Sequence, residues 1–493
     1  MTRYGPRKFN CSTRCSNKLS TKFVSMYYAM PIVFVVGIIA IAFEDKIKIN
    51  KSATALLMSI ILWIMLMFGG QNILHERQNS DFLRYVQRAE ITYLSVQEQI
   101  TTYLTERAFI PHLGDVAQTL FFVMCTMLIV SIVDKHGGFQ SIAFFMRTRN
   151  KRKLLWYVSF ASFFFSALFD NLAAAIVLIS ILRRLVPDAT DRMKYACMVV
   201  LAANAGGSWS PIGDVTTLLL WTGGNISAGH QITHVFLPAL VNMLVPLTIA
   251  HFWLFKKDAK LRADSELSLT DEYVSHIPVR SRVVIFIIGI LSLIMVPFFQ
   301  AITHLPAFMC VLVGLVFLWI YTDRMYGHLT DILDSHKLRI SKMVHKVDLV
   351  TIFFFLGILM SVAALNTGGQ LKEFADILSA NLKQPYAISS LIGVSSSLLD
   401  NVALVAATMG MYPIADAAQA AGTNLHYFVA DGGFWTFLAY CAVTGGSILI
   451  IGSATGVTVM GMEKVSFGYY LKRFTPLALL GYVVGGLVFL MMA

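Results

Sequence analysis

Charge is what this sequence lacks. Only 14% of its 493 residues are Asp, Glu, Lys or Arg, where a soluble domain carries roughly 25%. Apolar side chains fill the deficit, at 56% of the chain, and mean hydropathy reaches +0.67. A water-soluble globule is excluded, and the chain reads as an all-α polytopic membrane protein. Cysteine is scarce as well. Cys11, Cys15, Cys125, Cys197, Cys310 and Cys441 show no CxxC or Cys/His ligand spacing, and the last four lie in apolar stretches. That argues for buried small hydrophobes and against a disulfide or metal framework. The charges that are present sum to +11, mostly from Lys and Arg in loops. A membrane surface accounts for this better than nucleic acid, and no nucleic-acid partner is expected.

Acid is missing altogether from residues 1–23, which carry Arg3, Arg7, Lys8, Arg14, Lys18 and Lys22. The apolar run 24–43 that follows exceeds the roughly 7–15 residues of a signal-peptide core. It reads as a first membrane helix behind a basic tail. An acid-poor tail with Ser and Thr also fits an organelle transit peptide, and both readings stand.

A helix needs about 20 apolar residues to cross a hydrocarbon core about 30 Å thick. Candidate crossings are 24–43, 53–69, 118–134, 235–255, 283–303, 306–322, 349–364 and 475–492. Two longer stretches, 195–222 and 433–462, are interrupted by "NAGGSWSPIGD" (204–214) and "TGGSILIIGSATG" (444–456). Glycine and proline at that density break a helix.

Two further apolar regions each carry a carboxylate. Asp170–Asn171 sits between arms 156–169 and 172–182, and Asp400–Asn401 between 387–399 and 402–412. Each arm spans only about half to two-thirds of the core. The spacing predicts two re-entrant hairpins, about 156–183 and 387–413, with Asp-Asn at the turn, where both residues cap helices.

Basic residues cluster in 135–155, 183–194, 256–282, 323–348 and 464–473 and are sparse in 366–386 and 414–432. The basic loops are expected on the cytoplasmic side. The first hairpin then opens to the cytoplasm and the second to the outside. The same threading places the basic N-terminus and the mixed-charge loop 70–117 outside, against the charge rule.

The order crossing, Asp-Asn hairpin, Gly-Gly-Ser break, crossing occurs twice. Gly206–Gly207–Ser208 follows the first hairpin and Gly445–Gly446–Ser447 the second. The units, 118–255 and 349–493, enter from opposite sides. An N-terminal part (24–117) precedes them and a linker with two helices (256–348) separates them. An inverted repeat with two broken helices is a signature of secondary transporters.

An aspartate at the membrane centre costs roughly 2.5–3.5 kcal/mol, so Asp170 and Asp400 are candidate ion sites. Capping alone leaves one residue of each Asp-Asn pair unexplained. Asn204, Ser208, Asp214, Thr216 and Thr217 cluster at the first break, and Thr444, Ser447, Ser453 and Thr455 at the second. Hydroxyls and opened carbonyls suit Na⁺, a hard cation, whereas a lone Ser or Thr commonly bonds its own helix. Asp214 has no counterpart in the second unit, where Ala454 lies nearby. A carboxylate away from water favours its proton, and a nearby cation favours the ionised form. Na⁺ and H⁺ then compete for one group, which is a minimal mechanism for antiport. Five histidines, His112, His230, His234, His251 and His345, lie near predicted membrane edges with surface or capping roles as the default, and Asp134 and Asp348 have possible supporting roles before the hairpins.

At "SALFDNLAAAIVLISILRRL", "LAANAGGSWSPIGDVTTLLLW", "SSLLDNVALVAA" and "GGSILIIGSATGVTVMG" the chain resembles the NhaD-type sodium/proton antiporters of the ion transporter superfamily, over about residues 24–493. The resemblance implies Na⁺(Li⁺)/H⁺ exchange with no cofactor, and a homodimer with a scaffold and a moving transport part. It carries ion-site roles onto Asp170, Asn171, Asn204, Asp214, Thr216, Thr217, Ser396, Asn401, Thr444 and Ser447. Na⁺ is assigned to Asp170, Asn171, Asn204, Asp400 and Asn401, with Gly206, Gly207, Gly445, Gly446, Ser453 and Thr455 in support. Ala173–Ala175 stands where the family often has threonines, and Thr444 where serine is common. A bacterial inner membrane is the expected location, with a chloroplast envelope as the alternative. A sodium-coupled carboxylate symporter of the same superfamily is the rival function, disfavoured by aspartates at the tips. An intramembrane aspartyl protease is disfavoured too. The residues before Asp214 are Pro211-Ile212-Gly213 rather than Gly-x-Gly, so the chain is not read as an enzyme.

Overall fold

The structure is a computed structural model and describes residues 13–139, 146, 148–255, 277–328, 339, 343–344, 347–420 and 424–493. Its elements are helices. Those used below are α1 (Thr13–Ala42), α2 (Lys51–Gly70), α3 (Ser80–Arg88), α4 (Val96–Thr102), α5 (Ile110–Lys135), α6 (Lys151–Phe169), α7 (Asn171–Leu185), α8 (Ala189–Ser208), α9 (Val215–Thr222), α10 (Ala228–Trp253), α11 (Val279–Thr303), α12 (Ala307–His328), α13 (Leu349–Gly368), α14 (Gln370–Asn381), α15 (Pro385–Ser395), α16 (Asn401–Met411), α17 (Gly433–Gly445), α18 (Ala454–Glu463), α19 (Phe467–Arg473) and α20 (Thr475–Met492).

Among the described residues, seven helical spans are long and apolar enough to cross a membrane, and the chain is a multi-pass membrane protein. Each stretch read from hydropathy as a crossing lies within a helix to within two residues at its ends. The basic tail falls mostly outside the described residues. The segment 70–117, expected as a polar loop, is largely helical. A π-helical turn (Gln71–Glu76) extends α2, and another (Tyr103–Phe109) joins α4 to α5. Asn79 caps α3 by accepting from Asp81 N at 3.0 Å and Phe82 N at 3.1 Å, and Ser95 with Glu98 forms a capping box at α4. Phe82 and Val86 bury one face of α3 while its charges stay wet. Averaged hydropathy hides such a helix, because its apolar residues occupy one stripe only. Helix α14 within 366–386 escaped for the same reason.

Side-chain contacts fix the helix directions. α2 and α13 run parallel, with Ser52 Oγ donating to Val350 O at 2.5 Å and Trp63 Nε1 to Met360 O at 2.9 Å. One end of the bundle collects Lys135, Lys151–Lys153, Arg183, Arg184, Arg192 and Lys472. At this basic end Glu463, with its side chain 1% exposed, accepts from Arg183 Nε at 2.7 Å and Arg192 Nε at 2.5 Å. Arg183 also donates to the carbonyl of Met462. The triad ties the ends of α7, α8 and α18 together. A buried charge of this kind persists only when paired.

Four helical stretches are interrupted inside the bundle. α6 gives way to α7 at Asp170, and α15 to α16 across 396–400. α8 breaks before α9 across 209–214, and α17 before α18 across 446–453. Each broken helix packs on the first arm of a pair in matching register. Ser166 Oγ, four residues before Asp170, donates to Ala203 O at 2.5 Å. Ser396 Oγ, four residues before Asp400, donates to Ala442 O at 2.7 Å. A Cβ on Gly206 would collide with the backbone of Phe163, and one on Gly445 with the backbone of Gly393. The Gly-Gly-Ser runs are therefore contact points as well as helix breakers. We expect Gly206→Ala and Gly445→Ala each to destabilise the detergent-purified protein by on the order of 1–3 kcal/mol. Gly461→Ala on α18, where a Cβ meets open space, should be neutral or stabilising by up to about 1 kcal/mol. Thermal unfolding reads all three, and equal melting temperatures would contradict the close approach.

Candidate functional site

The three aspartates at the interruptions are held in three different ways. Asp400 has ordinary extended backbone (φ −58°, ψ 129°) and caps α16, its Oδ1 accepting from Val402 N at 3.0 Å and Ala403 N at 3.2 Å. Asp214, also extended (φ −155°), caps α9, its Oδ1 accepting from Thr216 N at 2.8 Å and Thr216 Oγ1 at 2.7 Å. Asp170 has φ 75° and ψ 144° and makes no side-chain cap bond. Its carboxylate faces the amides of Asn171, Leu172 and Ala173 that open α7. That backbone region belongs mostly to glycine and costs of order 1–3 kcal/mol for other residues. The shared Asp-Asn sequence thus conceals unequal turns: the capping expected at both tips is found at Asp400 only.

The asparagines join the four breaks into one network. Asn171 Nδ2 donates to Asn204 Oδ1 at 3.0 Å and to Asp214 Oδ2 at 2.5 Å. Asn401 Nδ2 reaches both Asp214 oxygens at 3.4 Å. Asn204 Nδ2 donates to Ser447 Oγ at 2.8 Å and Ser453 Oγ at 3.1 Å. Asp214 is therefore an acceptor hub between the two tips, and Asn204 a bridge to the second break. With their amide N–H groups turned to these partners, Asn171 and Asn401 accept no side-chain or backbone hydrogen bond on Oδ1 among the described residues.

Those two residues, with Asp170, Asp214, Asp400, Ser453 and Thr351, line a cavity of about 30 Å³. One water needs about 10–15 Å³ on this measure, so the cavity holds a guest of one ion or one to two waters. Val123 and Met127 of α5 and Phe355 of α13 close its other wall. Helices α5, α9, α13 and α16 continue from it to a larger vestibule of about 430 Å³, lined by His112, Asp115, Thr119, Thr222, Asn366 and Met409 among others. The vestibule lies at the end of the bundle away from the basic loops. Among the described residues no three of His, Cys, Asp and Glu converge as a metal-holding group. A transition metal has no ligand set here. The donors on offer are single carboxylates beside neutral amide and hydroxyl oxygens, which suits a hard cation of low charge.

Several expected ion-site residues lie a step away from the cavity. Ser208 Oγ returns to Ala205 O at 2.8 Å, Thr217 Oγ1 to Asp214 O at 2.8 Å and Thr444 Oγ1 to Tyr440 O at 2.6 Å. Ser396 holds Ala442, as above. These hydroxyls bond backbone carbonyls, the ordinary fate of Ser and Thr in membrane helices. Thr216 and Ser447 touch the network through Asp214 and Asn204. Asp214 proves to have a positional counterpart. Ser453 stands eight residues after Gly445, as Asp214 does after Gly206, and caps α18 through Gly456 N at 3.1 Å. Ala454 is its neighbour. Thr455, matching Thr216, keeps a buried hydroxyl without a partner, because Ser453 faces Asn204 instead. Ser166 and Thr351 were missed. Ser166 was visible as the serine four residues before Asp in both units, whereas Thr351 reaches the cavity only through tertiary packing. Asp348 supports that position by accepting from Thr351 Oγ1 at 2.6 Å. Trp156 Nε1 donates to His251 Nδ1 at 3.0 Å, His230 and His234 stack 3.8 Å apart, and His345 lies outside the described residues.

Comparison with known proteins supplies the family context. Residues 30–430 match the CitMHS family, described as "Citrate transporter". "Sodium/proton antiporter 1" of Arabidopsis thaliana is 38% identical over 93% of this chain and 71% of that protein. "Sodium/proton antiporter 2" of the same plant is 36% identical over 94% of this chain and 98% of its own length. "Na(+)/H(+) antiporter NhaD" of Vibrio cholerae is 27% identical over 93% and 90%.

The unequal aspartates make a direct prediction about stability. Asp214→Asn sets an amide N–H₂ against the donors of Asn171 and Asn401, and should destabilise the fold by about 1–3 kcal/mol. Asp170→Gly removes a strained side chain and should raise stability by about 1 kcal/mol or more. Thermal melts of the purified variants decide, and a destabilised Asp170→Gly would contradict the strain.

Proposed function

Since this chain belongs to the NhaD-type sodium/proton antiporters of the ion transporter superfamily, we propose that it exchanges Na⁺ or Li⁺ for H⁺, the two ions competing for Asp170 and the oxygens beside it. The observation that carries this reading is a carboxylate that makes no side-chain cap bond, next to two free amide oxygens, in a cavity of about 30 Å³. A carboxylate so placed is neutralised by a proton or by a cation, and loading one displaces the other. Asp214, saturated by donors, positions Asn171 and Asn401. Asp400 adds negative charge from the second tip while its Oδ1 holds α16.

Exchange requires that only a loaded site change sides. The outer ends of α6 and α7 both lie at the basic end and those of α15 and α16 both at the opposite end. This supports two re-entrant hairpins entering from opposite faces. The matched contacts of Ser166 with Ser396, Gly206 with Gly445 and Asp214 with Ser453 support an inverted repeat. In such proteins, swapping the conformations of the two units alternates access. The four interrupted pieces then form the transport body, moving against α5 and α13 with α2 behind them. By the positive-inside rule the vestibule faces outward, so this arrangement corresponds to the outward-open half of the cycle. A carboxylate symporter is favoured only by the family description. Three aspartates and no lysine or arginine line the cavity, a poor environment for an anion.

Everted vesicles with an imposed pH gradient and a pH-reporting dye test the proposal. Na⁺ and Li⁺, but not K⁺, should dissipate the gradient, and Asp170→Asn should abolish the response without lowering the melting temperature. The apparent KM for Na⁺ should rise as pH falls, because protons hold the shared site. No response from well-inserted wild type would sink the reading, and labelled citrate uptake would then be measured.

A further inference from the structure

The mouth of the vestibule carries the wrong charge for a cation pathway. A cavity of about 370 Å³ adjoins the vestibule, sharing His112 and Asn366 with it. Three guanidiniums line it, Arg84 and Arg88 from α3 and Arg107 from the π-helical turn, against the single carboxylate of Asp81. Arg84 is already engaged, with Nη2 on Asp81 at 2.8 Å and Nε on Ser80 O at 3.2 Å. Arg88 and Arg107 have no carboxylate partner among the described residues. Arg107 lies 5.8 Å from the ring centre of Tyr85, and buried Tyr103 braces the floor edge-on against Phe82 at 5.4 Å. Glu106 does not line the cavity; it accepts from the Tyr85 hydroxyl at 3.1 Å.

Two guanidinium forks without a carboxylate partner among the described residues, beside the rings of Tyr85 and Tyr103, match an oxyanion. Such forks bind carboxylate or phosphate oxygens in pairs. The volume is that of a small-molecule site. Left bare, this collar opposes cation entry, since its field extends about 8 Å at physiological ionic strength. We propose that the cavity is an anion site that takes a phosphate-class oxyanion between Arg88 and Arg107, and that the bound anion cancels the collar and speeds cation entry. The source is either free phosphate or an anionic lipid headgroup reaching the membrane edge. The binding part of this proposal does not depend on the exchange reading.

The test uses the full chain, purified and reconstituted in phosphatidylcholine liposomes with and without phosphatidylglycerol. Inorganic phosphate is titrated calorimetrically at ionic strength held constant with choline chloride. We expect saturable binding that Arg88→Gln/Arg107→Gln weakens at least about tenfold. Arg88→Lys/Arg107→Lys keeps stem and charge and should fall between the two, which guards against misfolding of the double glutamine variant. Radioactive Na⁺ uptake should rise about threefold with phosphate on the vestibule side in phosphatidylcholine alone. The double glutamine variant, its collar already neutralised, should show without phosphate a rate close to the stimulated wild-type rate and gain nothing further from phosphate. If phosphatidylglycerol raises the rate and removes the phosphate response, the headgroup is the source. If the response persists, free anion is the source. Absence of saturable binding, unchanged binding in the double variant, or equal stimulation by chloride at the same ionic strength would overturn the proposal.

Discussion

Inside hydrocarbon, a helix that stops must give its last carbonyls and first amides to something other than water. That single constraint organises this protein. Four helical stretches stop within the bundle, and each break is completed by another: Ser166 by Ala203, Ser396 by Ala442, Asn171 by Gly213 through its own amide at 3.1 Å, and Asn204 by Ser447 and Ser453. The breaks converge because they cannot remain unpartnered separately. Once converged, they enclose polar oxygens in a space too small for bulk water. The candidate site is what remains of the network after its backbone obligations are met.

Much of this was legible because hydropathy and glycine spacing report depth and continuity. A carboxylate in an apolar run marks its own importance, and Asp170, Asp214 and Asp400 all line the cavity. The order of breaks in the two units was visible as well. What sequence could not convey was how each polar group divides its hydrogen bonds. Asp170 and Asp400 share the same Asp-Asn dipeptide, yet one caps and the other sits on strained backbone, because tertiary packing and not local propensity sets φ at position 170. Ser208, Ser396, Thr217 and Thr444 were indistinguishable by type from residues at the cavity, and their hydroxyls turn to backbone carbonyls, one helical turn back for Ser208, Thr217 and Thr444 and across to Ala442 for Ser396. The helices of 70–117 stayed hidden because their apolar residues form a stripe within mixed charge.

The family description and the curated relatives point to different cargoes on one architecture, and the tips provide the physical discriminator. A pocket for a carboxylate needs donors and positive charge. This cavity presents carboxylates and amide oxygens, and its basic residues are displaced to an outer collar. Fold and cargo are thus separable. The network of Ser, Asn and backbone groups builds the enclosure, and a few side chains at its surface set the sign of the charge it accepts.

The ion triad at the basic end bears on how the molecule is assembled. Arg183 and Arg192 enter the membrane well before their acceptor is translated, since Glu463 lies 280 and 271 residues downstream. Until it is made, Arg183 and Arg192 lack this carboxylate, and the ends of α7 and α8 lack this tie. Only when α18 arrives does one buried carboxylate fasten pieces made at opposite ends of synthesis. The ion triad that joins α7, α8 and α18 is therefore completed only once residue 463 has been made. A chain that ends before residue 463 cannot make this triad at all.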